Sequence, residues 1–274
     1  MYKPTNIKYI KGILFFMSFG ISLVLNAQEN DGAPVITTID IITDRPDATE
    51  SATTIPHGSL QIETGAFYTS FEENNIKQEV IGYNTTLIRY GILNNLELRL
   101  GWNFEEGRTT INGTKLNNVT SGFSPLLTGI KINVVEKKGW IPAIAFLGHL
   151  ALPVTAANDY HPETTGVNFR FSIDHTLTEK SSIAYNLGAQ WGDDSPEAAY
   201  VYTLAYWYSI LENLGVFAEV YGDFPENSKA NHFWNGGLAF LVMHNLQLDA
   251  SIGTGITNGQ DLLLSAGVSY RIPK

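Results

Sequence analysis

The strongest constraint on the fold is a period-two alternation of apolar and polar residues. In 96–105, the leucine and aromatic residues share one parity, whereas Glu97, Arg99 and Asn103 share the other. Successive side chains of a β-strand point to opposite faces, so this segment predicts a strand with one apolar and one polar face. The same pattern recurs from residue 60 towards the C-terminus.

Twelve strands are predicted in this way, separated by residues typical of turns. They span 60–71, 79–91, 96–106, 120–134, 141–152, 165–175, 181–191, 197–210, 214–223, 231–243, 246–256 and 261–272. Tight turns are expected at 93–95, 136–139, 177–180, 211–213 and 244–245, and longer polar loops near 72–78, 107–119, 153–164, 192–196, 224–230 and 257–260. Short turns at one end and long loops at the other are typical of outer-membrane barrels.

The composition agrees with a membrane barrel. Only 16% of the residues are charged, against roughly 25% in soluble domains. Beyond the N-terminal region, no segment approaches the roughly 20 apolar residues of a membrane-spanning helix. We therefore predict an all-β protein, a transmembrane antiparallel up-and-down β-barrel of about twelve strands with an N-terminal extension. The alternative is a soluble β-sandwich whose aromatic residues stack in its core.

The N-terminal region has the pattern of an export signal. Three lysines precede an apolar segment at 13–25, and Ala27 offers a small residue for cleavage. This order is typical of a secretory signal peptide, with an uncleaved anchor as the alternative. We expect export to the cell outer membrane and three regions: a signal peptide at 1–27, an N-terminal periplasmic or plug segment at 28–59, and the barrel at 60–274.

The charge balance narrows the choice of partners. The chain has a net charge of −10, and removal of the three N-terminal lysines makes it more acidic. Nucleic acid is excluded as a partner because its binding needs a basic face. The expected partners are outer-membrane lipid and a small-molecule solute, and the expected state is a monomer. The chain has no cysteine, which excludes disulfides and thiolate metal sites.

Charged side chains within the strands fall on the polar parity. Arg or Lys that faces lipid at mid-bilayer costs about 2–4 kcal/mol, so we expect these residues to line the lumen. The lumen candidates are Glu63, Glu97, Arg99, Lys131, His149, Arg170, Asp174, Glu219, Asp249 and Arg271. Arg89 is the exception because it shares the parity of Ile81 and Leu87. A β-bulge or a position near the membrane edge would resolve that conflict.

Residues 28–59 differ from the strands in being rich in Thr, Asp and Pro. One interpretation is a periplasmic extension. The other is a partial plug that enters the barrel through Asp44, Arg45, Asp47 and Glu50, with Arg45 paired to lumen carboxylates. Small lumen residues such as Gly65 and Gly267 are expected to leave room for a narrow channel.

The sequence carries no catalytic signature. The six histidines lack the H-x-x-x-H spacing of a metal site, and no G-x-S-x-G nucleophile elbow is present. We therefore expect no enzymatic activity, no metal and no cofactor.

Two short stretches resemble a known family. Residues 43–51 are TDRPDATES and residues 56–65 are PHGSLQIETG. They are similar to the D-R-P-D-x-T-E-S and P-x-G-x-x-Q-x-E-x-G motifs of outer-membrane transporters grouped under the meta-pathway of phenol degradation. The resemblance implies an outer-membrane barrel that moves small aromatic or apolar molecules, and it assigns no binding residues.

These observations predict a passive outer-membrane channel or transporter for small molecules. A closed structural or adhesion barrel that binds partners through its outer loops is the main alternative. An outer-membrane lipid hydrolase is less favoured, because we find no pairing of Ser and His on neighbouring outward positions.

Overall fold

The computed structural model describes residues 40–192, 196–257 and 259–272. The predicted signal peptide and the first part of the extension, up to residue 39, lie outside the described residues. None of the helices in the described part of the chain is long and apolar enough to cross a membrane.

The described chain consists mainly of antiparallel strands. Their bounds are β1 Leu60–Glu73, β2 Ile76–Leu93, β3 Leu96–Ile111, β4 Thr114–Phe123, β5 Leu126–Val135, β6 Ala143–Leu152, β7 Gly166–Thr176, β8 Ser181–Trp191, β9 Ala199–Leu211, β10 Leu214–Pro225, β11 Asn231–Met243, β12 Leu246–Gly255 and β13 Leu262–Ile272. Two short 3-10 helices, Pro153–Thr155 and Asn158–Tyr160, lie between β6 and β7.

The sheet closes into a barrel because the first and last strands pair, with Gly65 opposite Gly267. β3 pairs with β5 along its first half and with β4 along its second half. β4 and β5 therefore occupy one position in the wall, interrupted at Ser124 and Pro125. The thirteen described strands thus make twelve positions, and the predicted twelve-stranded antiparallel barrel is confirmed.

Polar residues are buried in this barrel and apolar residues are exposed, the reverse of a soluble protein. Glu97 and Asp249 are buried, whereas their neighbours Leu98 and Leu248 are exposed. Most of the buried residues in the described chain are polar or charged, and large apolar side chains dominate the exposed set. An apolar outer face and a polar interior are typical of a barrel that spans a membrane.

Two predicted loops are wrong. Loops were expected at 72–78 and 107–119, but β1–β2 and β3–β4 continue there as long hairpins. Each hairpin ends in a two-residue turn whose residues have positive φ: Asn74 (51°) with Asn75 (62°), and Asn112 (49°) with Gly113 (78°). Asn and Gly tolerate this conformation, so the turn needs no longer loop.

The barrel has two different ends. At one end most connections between strands are tight, as at Asn94–Asn95 and His244–Asn245, and β1 begins and β13 ends there. We call this the short-turn end. At the opposite end, longer connections join β6 to β7, β8 to β9 and β10 to β11.

The conflict at Arg89 is resolved by a bulge in β2. Its pairing with β3 shifts register between Gly82 and Asn84. The extra residue changes which parity faces inward. Tyr83 is 50% exposed on the outside, whereas Arg89 is fully buried inside.

Candidate functional site

Residues 40–59, here called the inner segment, enter and leave the barrel at the short-turn end. Near its start, the Ile41 amide donates to the His244 carbonyl at 2.7 Å. Near its end, Thr54 donates to the Asn94 carbonyl at 2.8 Å, and the Gly58 amide donates to the Gly91 carbonyl at 2.8 Å. The segment therefore rises into the barrel and returns before β1 begins.

The inner segment contacts the wall on most sides. Within the described chain, it forms hydrogen bonds with side chains on ten strands. Their representatives, one per strand, are Glu63, Arg89, Glu97, Lys131, Asp174, Asn186, Thr203, Glu219, Asp249 and Ser265. Because these partners surround the barrel axis, the segment lies across the lumen.

Asp44 is the centre of the ionic network. Its carboxylate accepts from Arg99 at 2.6 Å and from Lys131 at 2.7 Å, and Arg89 lies 3.4 Å away. It also accepts from the Ser51 amide at 2.9 Å, which closes the segment on itself. Burial opposes ionisation of Asp44, but the three cations outweigh it and hold the pKa of that carboxyl well below its usual range.

The wall reinforces this cluster with carboxylates of its own. Arg89 pairs with Glu63 at 2.9 Å and with Glu97 at 2.8 Å, and Arg99 pairs with Glu97 at 2.9 Å. Glu50 of the inner segment pairs with Arg99 at 2.8 Å. Charges that are buried on this scale are tolerated only when they are paired and hydrogen-bonded, as they are here.

Arg45 lies on the opposite side of the inner segment. Its guanidinium pairs with Asp249 at 3.0 Å and donates to Ser265 at 3.1 Å and Thr85 at 3.2 Å. A Cβ added at Gly65 or Gly267 would collide with this guanidinium. These two glycines, expected to leave room for a channel, instead make room for Arg45.

Asp47 has different surroundings. Trp207 donates its indole N–H to Asp47 at 2.9 Å, and Glu219 accepts from the Ala48 amide at 2.9 Å. Neither carboxylate forms an ion pair with any described residue. Burial and the neighbouring Glu219 raise the pKa of Asp47 well above its usual range.

The remaining lumen candidates lie around this core. Arg99 donates through Nε to Nε2 of His149, whose Nδ1 lies 3.1 Å from Asn168. Arg170 donates to the Ala48 carbonyl at 3.4 Å. Asp174 accepts from the Ala52 amide at 2.8 Å. Arg271 lies at the short-turn end, where it donates to the Asp40 carbonyl at 3.4 Å.

Cavities lie along the lumen towards both ends of the barrel. The outer chamber, of about 490 Å³, is lined by Asn168, Gln190 and Asp223 near the long-loop end. The middle chamber, of about 340 Å³, is lined by Asn103 and Arg99 on the same side of the segment. The inner chamber, of about 460 Å³, opens among the strand ends at the short-turn end.

The arrangement does not suggest a metal centre. Among the described residues, no group of three or more His, Asp or Glu side chains is placed to hold a metal ion. Asp44, Glu63 and Glu97 are instead occupied by Arg and Lys.

Sequence reasoning missed several residues that hold the inner segment. Asn186 accepts from the Glu50 amide at 2.8 Å and donates to the Glu50 carbonyl at 2.8 Å. Thr203 and Trp207 bind Thr49 and Asp47. The inward parity of β8 and β9 contained the signal for these positions, but parity alone does not say which residues meet the segment.

Several solved structures of outer-membrane proteins are similar in fold to this barrel. The chain is similar to an outer membrane channel from Pseudomonas putida F1, with 12% identity and a TM-score of 0.64 over 81% of this chain and 98% of that one. It also matches the translocator domain of the autotransporter NalP from Neisseria meningitidis, with 12% identity, a TM-score of 0.49 and 96% of each chain covered. The NanC porin matches with 9% identity and a TM-score of 0.48, over 78% of this chain and all of that one.

The first of these likenesses supports the fold, and the other two are too weak to add to it. A search of curated protein sequences gave no significant match. Residues 43–272 match the family model described as "Putative MetA-pathway of phenol degradation". Because this match covers most of the chain, the protein belongs to that family.

Proposed function

We propose that the protein is an outer-membrane channel for small molecules whose inner segment is a plug. The observation that carries this proposal is a polar interior with chambers of about 490 and 460 Å³ on opposite sides of the inner segment. Chambers of this size match those that hold small molecules in other proteins. The similar barrel from Pseudomonas putida F1 is an outer membrane channel, which supports the same role.

The plug role rests on how the inner segment is held. Its contacts are mostly hydrogen bonds and ion pairs, such as those of Asp44 and Arg45, and apolar packing is minor. When the segment leaves the lumen, water can replace each of these polar contacts, whereas it could not replace buried apolar packing. Passage of a solute then requires displacement of the segment from the lumen.

The remaining expectations follow from this role. The N-terminal pattern supports export through a cleaved signal peptide, and the apolar outer face supports direct contact with outer-membrane lipid. We propose a monomer that acts without a catalytic step and that favours small aromatic or apolar solutes, as the family resemblance implies.

Liposome swelling and planar-bilayer conductance test the proposal. The full exported chain and a variant that lacks residues 40–55 are compared with sugars, amino acids and aromatic acids. We expect solute-dependent flux for the full chain and a larger conductance for the variant, because removal of the inner segment opens the lumen.

A closed barrel is the competing function, and the segment across the lumen is the observation that favours it. Sealed liposomes with both proteins, each shown to be folded by circular dichroism, would establish a closed barrel and reject the channel. A sealed full chain beside a conducting variant would instead identify a channel that stays shut until the plug is moved.

A further inference from the structure

The outer face of the wall has a concavity that crosses β8 to β11, here called the lipid-side groove. It encloses about 340 Å³, and its outward-facing side chains are Ile183, Leu204, Tyr206, Val220 and Trp234. The last four of these side chains are exposed. The groove therefore opens towards the membrane and not towards the lumen.

A small residue forms the floor of the lipid-side groove. Ala218 on β10 is exposed, and it is paired with Tyr206 on β9 and with Gly236 on β11. Trp234 lies two residues before Gly236 on the same face of β11, so two aromatic rings flank the floor. The other residues of the lining have side chains that are buried on the lumen side: Ala205, Glu219 and Asn235.

The surroundings of the lipid-side groove identify the class of its occupant. It belongs to the apolar outer face, which faces the hydrocarbon of the membrane. Lipid tails are as apolar as the side chains of the groove, so van der Waals packing decides which group binds there. A concave wall offers a chain more of these contacts than a flat wall does.

The position of the lipid-side groove selects one leaflet. Ile183 is the third residue of β8 and Ala218 is the fifth residue of β10, both counted from the short-turn end. Short turns of outer-membrane barrels face the periplasm. A lipid in the groove therefore comes from the periplasmic leaflet.

A cation lies at the same end of the wall. Lys180 is the last residue of the turn before β8, and its carbonyl accepts from the Ser209 amide at 2.8 Å. Its side chain is exposed and forms no ion pair with a described residue. A strand rises about 3.3 Å per residue, so Lys180 is about 10 Å from Ile183 along β8. This places a positive charge at headgroup level, below an apolar groove.

We propose that the lipid-side groove binds one glycerophospholipid of the periplasmic leaflet. An acyl chain lies over Ala218 between Tyr206 and Trp234, and the phosphate of the headgroup pairs with Lys180. Phosphate and ammonium form a strong, charge-assisted contact. This site rests on the proposed contact with outer-membrane lipid and not on the proposed channel, because the outer wall faces lipid whether or not the lumen conducts.

Native mass spectrometry of the full chain, released from detergent, tests the site. Dioleoylphosphatidylethanolamine is the probe, because its ammonium group is compatible with Glu179 beside Lys180. We expect a monomer that retains one lipid under conditions that strip the remaining lipid and detergent.

One pair of variants tests the acyl-chain contact. Ala218→Leu fills the floor of the groove and should weaken retention of the lipid by about fivefold or more, because fewer methylene groups keep their contacts. Ala266→Leu makes the same change at an exposed position on β13 that does not line the groove, and it should change retention by less than about twofold. Both positions face lipid, so both variants should fold, as circular dichroism checks.

A second pair of variants tests the headgroup contact. Lys180→Gln removes the cation and should weaken retention by about threefold or more. Lys229→Gln removes an exposed lysine from the connection between β10 and β11 at the opposite end, and it should change retention by less than about twofold.

Four results would each overturn the assignment of this lipid site. The folded wild type retains no lipid, Ala218→Leu or Lys180→Gln retains it as well as the wild type, or Ala266→Leu loses it as fully as Ala218→Leu. A lipid-free dimer that Ala218→Leu dissociates would show that a second copy of the chain covers the groove.

Discussion

Asp44 and Asp47 lie three residues apart on the inner segment, but their neighbours carry opposite charge. The carboxylate of Asp44 forms ion pairs with Arg99 and Lys131, whereas Asp47 has Glu219 beside it and no ion pair among the described residues. The same Asp→Asn substitution should therefore have opposite effects on the free energy of unfolding at these two positions.

Asp44→Asn should lower the free energy of unfolding by about 3–5 kcal/mol, because it leaves Lys131 and Arg99 without their shared counter-charge. Asp47→Asn should leave the free energy of unfolding unchanged or raise it, because it removes a buried carboxylate that no cation balances. Thermal unfolding followed by circular dichroism measures both. Equal losses in the two variants would contradict this assignment of charges.

The pH dependence of stability should separate the two carboxyls. The pKa of Asp44 is lowered from 3.8, so its contribution is present above that pH and is lost only as pH falls through the lower, folded value. The pKa of Asp47 is raised from 3.8, so its contribution is complete below that pH and is lost as pH rises through the higher, folded value.

We therefore expect the melting temperature of Asp47→Asn to exceed that of the wild type by a margin that grows as pH rises from about 4 to about 8. Unfolding curves across this range check the prediction. A constant margin would mean that Asp47 titrates alike in the folded and unfolded chains.

At the scale of elements, the inner segment and the wall meet through small residues. Gly65 on β1 and Gly267 on β13 are opposite each other in the sheet, and both approach the guanidinium of Arg45. The nearest neighbours of a methyl group added at Gly267 are all atoms of the Arg45 side chain. The effect of that methyl group therefore depends on Arg45.

Gly267→Ala should destabilise the wild type by about 1–3 kcal/mol, the usual range for overpacking. In an Arg45→Ala background the same substitution should cost much less, because the colliding guanidinium is gone. A double-mutant cycle from chemical unfolding measures the coupling energy. Additive effects would show that Gly267 matters for another reason, such as the conformation of β13.

The bulge in β2 sets which residues of that strand face inward. Deletion of Tyr83 should remove the bulge and turn Arg89 towards lipid, at a cost of about 2–4 kcal/mol together with the loss of its ion pairs. Tyr83→Ala removes the same side chain but keeps the bulge. We expect the deletion to block barrel assembly in folding assays with lipid vesicles, while the substitution assembles normally.

For the whole molecule, the proposed channel predicts that the inner segment moves when a solute passes. The chain has no cysteine, so an engineered pair gives one defined crosslink. The hydroxyls of Thr49 and Thr203 are 2.8 Å apart between the inner segment and β9, and those of Thr64 and Thr86 are 3.1 Å apart between neighbouring wall strands. Both pairs are close enough to test as disulfides.

Cysteines at 49 and 203 tie the inner segment to β9, whereas cysteines at 64 and 86 tie the wall to itself. We expect oxidation to abolish solute flux in the first variant, reduction to restore it, and neither treatment to affect the second. Undiminished flux in the oxidised first variant would mean that solutes pass around the segment.

Alternation in the sequence was enough to predict the strand pattern and the side of the wall that most strand residues face, with Arg89 beyond the β2 bulge as the exception. These follow from alternation over two residues, a local property that Glu97, Lys131 and Asp249 obey without reference to the rest of the chain. The loops expected at 72–78 and 107–119 failed for an equally local reason, since Asn and Gly at positive φ let the strands run on into tight turns.

Which charges form ion pairs depends on the closed three-dimensional fold. Arg45 and Asp249 are separated by 204 residues, and Asp44 and Lys131 by 87. Their contact depends on how the sheet closes and on how far neighbouring strands are staggered, which alternation does not encode. The inner segment has no periodic pattern from which its position could be predicted. That position is set by hydrogen bonds and ion pairs from ten strands, which come together only in the closed barrel.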